Sequence, residues 1–453
     1  MNRQELDYYA RSYGIPLLMV LCIITLLTPI LMRTWDGSPI TPQADSYSYL
    51  RQAELLAQGK FFDPLNPGIT ITPYSLGLAI MGLFGVPWLF PIILAILLLL
   101  LLYILMEHRI HSMAIVITVL TSIVISPTFS DIGTSHSPVL LSLVFIAAAG
   151  ILLEKHKIAS AAMLFLAAIS DPVSGMAACI VIGLYSATAS KRLDSTAIGC
   201  AVALILAAIY TAVLGASIEF VIPLANSDVL FEFGNKEGIS IFFLLLAAYG
   251  MMTRPSFQNA KTITVVILVV AASMFLPALV PATVIMLSIL TGYAIIHLAT
   301  VRWELELLQK AMVTLVLCIG LFLAITNIRD RISNEPDSAT AHALLTIKNQ
   351  HREGAVLTAW QYAPLVNQIS DRKAVLRSKN DDIELAFLTR DPTKVYSFLE
   401  QNNVGFILIT DDMRQSIFRR SDEGILFLLD NSARFVKIES DNDASIYYFI
   451  RQK

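Results

Sequence analysis

The sequence predicts a polytopic α-helical membrane protein of about eleven spans with a C-terminal external α/β domain. The first observation is composition: 56% of the 453 residues are hydrophobic and 15% are charged, against about 25% charged residues in a soluble globular protein. The second is distribution, because the charge deficit lies in the first three quarters of the chain and the composition turns globular from residue 328. Residues 1–327 are therefore predicted as the membrane domain.

The predicted spans follow from length, because a helix rises about 1.5 Å per residue and about 20 apolar residues cross a bilayer. The first segment, 14–32, is longer than the apolar region of about 7–15 residues in a signal peptide, so it is predicted as a retained span. The apolar, glycine-containing stretch 71–85 is predicted as an interfacial helix of the first outer loop. The predicted spans are 14–32, 88–106, 113–127, 138–153, 158–170, 173–189, 196–216, 239–253, 263–277, 282–300 and 311–327.

The orientation follows from Lys and Arg in the short loops, which favour the cytoplasmic side. With the N-terminus inside, four cations lie in outer loops: Arg33, Arg51, Lys60 and Lys236. Eleven lie in inner loops: Arg3, Arg11, Arg109, Lys155, Lys157, Lys191, Arg192, Arg254, Lys261, Arg302 and Lys310. This bias predicts a plasma-membrane protein with a cytoplasmic N-terminus, acidic outer loops at 33–87 and 127–137, and an external domain at 328–453.

The predicted C-terminal domain alternates helical and strand patterns, which is typical of a small α/β sheet. Strands are predicted at 354–360 and 404–410, and a helix is predicted at 362–370. Another helix is predicted in PTKVYSFLEQNN, and ARFVKIES and ASIYYFI are predicted to form a hairpin around Asp441 and Asn442. The segment contains neither a Walker loop nor a glycine-rich dinucleotide fingerprint.

Several function classes find no support in the composition. The net charge is −3, and no basic patch of the kind that binds nucleic acid is visible. The four cysteines all lie in apolar segments, so they are interpreted as small core residues and not as a disulfide framework or a metal cluster. No Ser/His/Asp order and no zinc-type spacing is present.

Asp45 opens the polar stretch ADSYSYLRQAE, which directly follows the first span. The stretch predicts an amphipathic helix whose apolar face can lie on the membrane while its polar face meets water. Asp45 can be a helix N-cap, a functional carboxylate, or both, because a capping carboxylate keeps a second oxygen. The apolar face consists of Tyr49, Leu50, Ala53, Leu56 and Ala57.

Asp131 and Asp171 are two further carboxylates in predicted outer turns. Asp131 lies in SPTFSDIGTSHSP near His136, and an ordinary turn role is its alternative. Asp171 interrupts the uncharged run 158–190, which is shorter than the about 40 residues that two spans need, so its turn lies below the membrane surface. A carboxylate at that depth costs about 2.5–3.5 kcal/mol and usually marks a site. The alternative for Asp171 is a helix cap before Pro172.

Acidic side chains near one membrane face could together bind a divalent cation, Mg or Mn, through oxygen ligands. Such a cation could neutralise the phosphate or pyrophosphate leaving group of a lipid-linked substrate.

The layout resembles the membrane-embedded glycosyltransferases that use polyprenyl-phosphate sugar donors, the GT-C superfamily. The resemblance is to the catalytic subunit of oligosaccharyltransferase, above all its archaeal form. Its first outer loop typically carries Asp-x-Tyr-Tyr-x-x-Arg, and here Asp45, Tyr47, Tyr49 and Arg51 form a similar pattern. SPTFSDIGTSHSPVLLSLVFIAAAG resembles the second acidic motif, with Asp131 as its acid.

The C-terminal segment EGAVLTAWQYAPLVNQISDRKAV has the frame of the family's Trp-Trp-Asp-Tyr-Gly motif. Trp360 and Tyr362 match it, whereas Gln361 stands where the family has the Asp that contacts the acceptor hydroxyl. Gly133 stands where the second acidic motif has another ligand, and the long fifth outer loop is reduced to PALVP. Because an amide oxygen accepts a hydrogen bond less strongly than a carboxylate, we expect no strict Asn-x-Ser/Thr requirement.

The resemblance implies a glycosyltransferase that moves a sugar or oligosaccharide from a polyprenyl-phosphate-linked donor to an external protein or glycan acceptor, with membrane lipid as its surroundings and no nucleic-acid partner. It implies catalytic roles for Asp45 and Asp131, and a Mg or Mn ion held by Asp45, Asp131 and His136. It implies substrate binding by Tyr47, Tyr49, Arg51, Asp171, Trp360, Gln361 and Tyr362.

Two other functions stay open. The degenerate motifs also fit a non-catalytic relative that serves as a membrane scaffold or binds a partner. A transporter is the third possibility, although no clear inverted repeat and no paired broken helices are visible in the sequence.

Overall fold

The computed structural model describes residues 3–451 apart from 62, 64, 66–71, 154, 191–194, 215–240, 254–259, 302, 334–335, 378–382, 419, 421–422 and 441–443. The chain forms two compact units. The helical unit comprises Met1–Ile30, Thr72–Gly77 and Trp88–Ile332. The mixed unit comprises Leu31–Ile71, Leu78–Pro87 and Ser333–Lys453, so it combines the segment after the first span with the C-terminal residues.

Long apolar runs form most of the helices, as the composition predicts. The helices up to residue 214 are α1 (Arg3–Tyr9), α2 (Ile15–Trp35), α3 (Ser46–Ala57), α4 (Pro73–Leu83), α5 (Leu89–Arg109), α6 (Met113–Val124), α7 (Pro127–Thr134), α8 (Pro138–Leu152), α9 (Lys157–Ser170), α10 (Pro172–Ser190) and α11 (Ser195–Leu214). Next come α12 (Ile241–Thr253), α13 (Ala260–Phe275), α14 (Val280–Thr300) and α15 (Glu306–Ser333). A π-helical turn, Ala10–Gly14, joins α1 to α2.

Among the described residues, four helices are long and apolar enough to cross a membrane, or five if the bent pair α6 and α7 is one span. These two helices meet at 64°. Seven shorter apolar helices accompany them. A membrane protein with several apolar helices is therefore confirmed, whereas the count of eleven spans stays a prediction. Lys191, Arg192, Lys236, Arg254 and Arg302, which entered the orientation argument, lie outside the described residues.

The predicted outer loop 127–137 largely forms α7, whose eight residues are all buried. The chain ends α6 at Val124, and the Ser126 side chain then accepts a hydrogen bond of 3.2 Å from Phe129 N. Pro127 follows at the first helical position, where its missing N–H costs nothing. Serine followed by proline is thus a helix start that the loop interpretation overlooked.

The small C-terminal sheet is confirmed. It contains β1 (Ala355–Leu357), β2 (Val404–Thr410), β3 (Phe435–Ser440) and β4 (Ala444–Phe449) in the order β1-β2-β4-β3. β1 and β2 are parallel, and the pairs β2–β4 and β3–β4 are antiparallel. The predicted hairpin turn at Asp441 and Asn442 lies outside the described residues.

Helices cover both faces of this sheet, which explains why all seven residues of β2 are buried. Ile407 and Ile409 join one core cluster, and Phe406 and Leu408 join a second cluster. The second cluster also contains Tyr47 from α3. The remaining helices of the mixed unit are α16 (Ser338–Asn349), a short helical stretch made of Trp360–Tyr362, Ala363–Leu365 and Val366–Ser370, then α17 (Pro392–Gln401), α18 (Asp411–Ser416) and α19 (Ile425–Asn431).

Candidate active site

Asp45 stands at the N-cap position of α3, and its side chain is exposed and makes no capping hydrogen bond. The backbone carbonyl of Asp45 instead accepts from Ser48, at 2.6 Å from Oγ and 3.1 Å from N. The interpretation of Asp45 as a capping carboxylate is therefore wrong. This carboxylate does not cap α3. A functional role for Asp45 stays a prediction.

Tyr47 and Tyr49 follow on different sides of α3. Tyr47 is buried, and its hydroxyl donates to the carbonyl oxygen of Thr41 at 3.2 Å. Burial raises the pKa of Tyr47 well above its usual range, with Arg33 opposing that shift, so the hydroxyl remains a neutral donor. Tyr49 is half-buried. Substrate binding by either tyrosine stays a prediction.

Arg51 ties α3 to the C-terminal part of the mixed unit. Its Nε donates to Asp63 Oδ2 at 2.9 Å, and its Nη1 donates to Asp371 Oδ1 at 3.0 Å and to the carbonyl oxygen of Asn367. Arg51 and Asp63 are both buried. The face of α3 that packs on the C-terminal part of the mixed unit therefore contains Tyr47 and Arg51, whereas the sequence predicted only an apolar face around Tyr49.

A pocket of about 570 Å³ lies next to Arg51 in the mixed unit. It is lined by charged and amide side chains, among them Glu54, Lys60, Lys348 and Gln368. Gln368 Nε2 donates to Glu54 Oε2 at 2.9 Å across this lining. Donors and acceptors of both charges in one pocket suit a hydroxyl-rich group, which can serve as either partner in a hydrogen bond.

In the helical unit, Asp131 forms an ion pair with Nη1 of Arg331. Both residues are buried, with 7% and 0% of their surfaces exposed, respectively. The Asp131 backbone carbonyl accepts from Ser135 Oγ at 2.6 Å. The ion pair compensates the buried carboxylate and fixes its orientation, which is compatible with a structural role and with a catalytic role.

His136 lies just beyond α7 and is buried. Its Nδ1 is 3.3 Å from the hydroxyl of Tyr74, whose ring packs on Phe90 with centroids 5.2 Å apart. Burial lowers the pKa of His136 to about 4, so the imidazole is neutral at physiological pH. A neutral imidazole is the form that ligates metals, and its role as a ligand stays a prediction.

Asp171 caps α10. Its Oδ2 accepts from Ser174 N at 2.8 Å, and Pro172 occupies the position after it. Ser174 Oγ in turn donates to the carbonyl oxygen of Ala278 at 2.9 Å, which ties this helix start to the segment before α14. The capping alternative that the sequence left open is therefore present, and substrate binding by Asp171 stays a prediction.

Trp360, Gln361 and Tyr362 begin three residues after β1, at the carboxyl ends of the parallel strands β1 and β2. Gln361 Nε2 donates to Asp412 Oδ2 at 3.0 Å, and the Tyr362 hydroxyl is 3.4 Å from the same oxygen. Tyr362 is buried, Asp412 is exposed, and Trp360 packs against the core of the mixed unit. Open α/β sheets bind ligands at this edge.

Two residues that contact the predicted site residues, Arg331 and Asp412, were not predicted from the sequence. Arg331 follows Asn327 by one helical turn, and both are buried, so polar residues that continue the helical period of the last span were the signal. Asp412 is the second residue after the strand VGFILIT. The rule that located Trp360 at a strand end applies equally to Asp412.

The predicted metal ligands are divided between the two units, with Asp45 in the mixed unit and Asp131 and His136 in the helical unit. Across the described part of the chain, no group of three or more His, Cys, Asp or Glu side chains could hold a metal ion. The described residues thus do not form a metal site, and the close approach of Asp45 to Asp131 stays a prediction.

The fold is that of the GT-C membrane glycosyltransferases, as the resemblance implied. The apo Archaeoglobus fulgidus oligosaccharyltransferase matches with a TM-score of 0.61 and 12% identity over 97% of this chain and 75% of the other. ArnT from Cupriavidus metallidurans in the apo state matches with a TM-score of 0.54 and 11% identity over 96% of this chain and 98% of the other. At this identity the likeness defines the fold alone.

Two further structures of the Archaeoglobus fulgidus enzyme also match. One is tethered by a disulfide bond to an acceptor peptide with the NVT sequon, at a TM-score of 0.59 and 11% identity over 98% of this chain and 75% of the other. The other is a complex with Zn and sulfate, at a TM-score of 0.56 and 11% identity over 95% and 73%. No protein-family profile and no curated protein sequence matches the chain.

Proposed function

We propose that the protein is a glycosyltransferase that moves a sugar or oligosaccharide from a polyprenyl-phosphate-linked donor to an acceptor outside the membrane. The observation that carries the proposal is Asp45, an exposed carboxylate that α3 presents without using it as a cap. The GT-C fold over nearly the whole chain supports the reaction class. The polar pocket beside α3 supports a hydroxyl-rich substrate.

In this proposal Asp45 is the general base. The nucleophilic atom of the acceptor forms a bond to the anomeric carbon, and the bond from that carbon to the phosphate oxygen breaks. Asp45 takes the acceptor proton, and the lipid phosphate leaves with the electron pair. Asp131, which pairs with Arg331, is the second predicted catalytic carboxylate.

A Mg or Mn ion bound by Asp45, Asp131 and His136 remains a separate proposal. The Zn complex of the Archaeoglobus fulgidus enzyme supports it, whereas the described residues of this chain contain no group of three ligands. No step above depends on a metal. Likewise, a cytoplasmic N-terminus and an external C-terminal domain are proposed from the Lys and Arg bias alone, and the plasma membrane is proposed as the location.

The test of the base is Asp45→Ala in an in vitro transfer assay with a polyprenyl-phosphate-linked sugar. We expect transfer to fall about 10²–10⁴-fold, the contribution of a positioned general base. Asp36→Ala is the matched control, since Asp36 is also exposed and lies in the same segment. Full activity in a well-expressed Asp45→Ala variant would overturn the assignment.

We further propose that Asp412 contributes the carboxylate that Gln361 lacks. Gln361 Nε2 already donates to Asp412, so the carbonyl of Gln361 and the second oxygen of Asp412 can both accept from an acceptor group. Acceptor choice would then depend on a pair of side chains, which favours an acceptor without a strict sequon. The acceptor peptide of the Archaeoglobus fulgidus complex is the reference for comparison.

Asp412→Asn tests this role. We expect about a tenfold loss of transfer, since a hydrogen bond to a charged group contributes about 1.5–3 kcal/mol and part of it survives in the amide. The neighbouring exposed acid supplies the control variant, Asp411→Asn. The opposite outcome would be robust, hydroxyl-dependent transfer to a sequon peptide. If Gln361→Ala abolished this transfer and Asp412→Asn left it unaffected, Gln361 would act alone.

A non-catalytic scaffold is the second candidate. The observation that favours it is the commitment of Asp131 to Arg331 in a buried pair, which is sufficient for a structural role. The scaffold role would be supported if the chain had no transfer activity but copurified with a defined partner. Asp45→Ala should then leave this copurification unchanged.

A further inference from the structure

Two cationic helix ends meet at one pocket in the helical unit. α5 ends with His108 and Arg109, and the turn after α8 contains Lys155 and His156. All four side chains are exposed. They line one pocket of about 430 Å³ between α5 and α8, two helices that pack against each other.

The turn after α8 is held in place by its backbone. The amides of Lys155 and His156 donate to the carbonyl oxygen of Leu152 at 3.2 and 2.8 Å. The first turns of α9 are fixed as well, because Ser160 Oγ donates to the carbonyl oxygen of Ala149 at 2.9 Å. The backbone of Lys155 and His156 is therefore hydrogen-bonded to the end of α8, which presents both side chains at the pocket.

Most of the other lining residues of the pocket are apolar. Its walls include Ile104 and Leu105 from α5 and Ile151 and Leu152 from α8. The pocket also contains Glu107, whose carboxylate hydrogen-bonds Tyr103 one turn earlier on α5. A ligand that fits this pocket needs an anionic group next to an apolar part.

The depth of the pocket is set by α5, which is long and apolar enough to span a membrane. The first charged residues after its apolar run must lie at the level of the headgroups, whichever face of the membrane that is. Cations at the ends of membrane helices bind anionic headgroups through the phosphate.

We propose that this pocket binds the phosphate headgroup of an anionic phospholipid. Arg109 and Lys155 contact the phosphate, and Ile104 and Ile151 contact the start of the acyl chains. A free phosphate shares the anionic chemistry, but the apolar walls would gain nothing from it. The alternative is that these cations only interact with the negative, C-terminal ends of their own helix dipoles.

The test is native mass spectrometry of the full-length, delipidated protein in detergent, titrated with phosphatidylglycerol, phosphatidylcholine or glycerol 3-phosphate. We expect selective retention of phosphatidylglycerol. Near an anionic surface each cation changes affinity about fivefold, so Arg109→Gln/Lys155→Gln should weaken phosphatidylglycerol binding about 30-fold. Lys310→Gln is the matched control, because Lys310 is exposed, pairs with Glu306 at 2.8 Å and lies outside this pocket.

Equal binding of phosphatidylglycerol and phosphatidylcholine, or equal weakening by Lys310→Gln, would overturn the proposal. Binding of glycerol 3-phosphate as strong as that of the lipid would assign the pocket to a soluble phosphate and would also overturn it. The single variants Arg109→Gln and Lys155→Gln, each expected to weaken binding about fivefold, decide the matter if the double variant does not fold.

Discussion

Three aspartates of the helical unit and two of the mixed unit differ in what their carboxylates contact. Asp7 accepts from Ser112 Oγ and Ala114 N, each at 2.8 Å, and so holds the start of α6. Asp131 pairs with Arg331, and Asp171 caps α10. The acids Asp45 and Asp412 of the mixed unit are exposed beside the starts of α3 and α18.

The difference follows from the cost of burying charge. A carboxylate at membrane depth must be neutralised or hydrogen-bonded by the fold itself, because neither water nor lipid can do so. An exposed carboxylate has no such requirement, because water solvates the part of it that the fold leaves accessible. Burial of an acid in this protein therefore does not by itself indicate a substrate site.

The largest effect on stability is expected from removal of the buried cation of the helical unit, Arg331. Arg331→Ala should lower the free energy of unfolding in detergent by about 3–5 kcal/mol, because it leaves the Asp131 charge buried without its guanidinium. Arg331→Ala combined with Asp131→Ala should recover part of this loss. Thermal and denaturant unfolding, monitored by circular dichroism, measures both. A single variant as stable as the parent would mean that the pair does not hold the unit.

A smaller effect is expected from the corresponding arginine of the mixed unit. Arg51→Ala should cost about 2–3 kcal/mol, since it removes charge-assisted hydrogen bonds and leaves the buried Asp63 behind. Asp371→Asn is the control and should cost less than about 1 kcal/mol, because the Asp371 side chain is 67% exposed and asparagine tolerates the left-handed backbone at this position, where φ is 52°. Limited proteolysis between residues 33 and 87 should accelerate only in Arg51→Ala. If the two variants had the same stability and the same rate of proteolysis, Arg51 would not be the residue that holds α3 to the C-terminal part of the mixed unit.

The smallest effect on stability is expected from replacement of Asp171. Asp171→Ala should cost about 1 kcal/mol as a lost cap, whereas Asp171→Asn should change stability little because asparagine caps equally well. Transfer activity should follow stability in both variants. A large loss of transfer in a stable Asp171→Asn variant would instead support substrate binding by Asp171.

The sequence predicted those elements whose signal is local. Apolar runs gave the long helices, and VGFILIT gave the buried central strand β2. It did not predict that α3 packs on the C-terminal part of the mixed unit through Tyr47 and Arg51. An amphipathic helix of 12 residues can bury either of two faces, and the partners of Arg51 lie 316 and 320 residues away. α7 was overlooked because its polar residues look like a loop until their hydroxyls are seen bonding the helix backbone.

The mixed unit joins parts of the chain that are made far apart in time. Arg33 donates to the carbonyl oxygen of Pro336, a separation of 303 residues. At about 5–20 residues per second, a ribosome needs about 15–60 s to cover that distance. During this interval the segment after α2 has already been made and has none of its C-terminal partners. Completion of the unit therefore waits for the end of synthesis, and truncation of the C-terminus should leave α3 exposed to quality control even where the membrane helices have inserted.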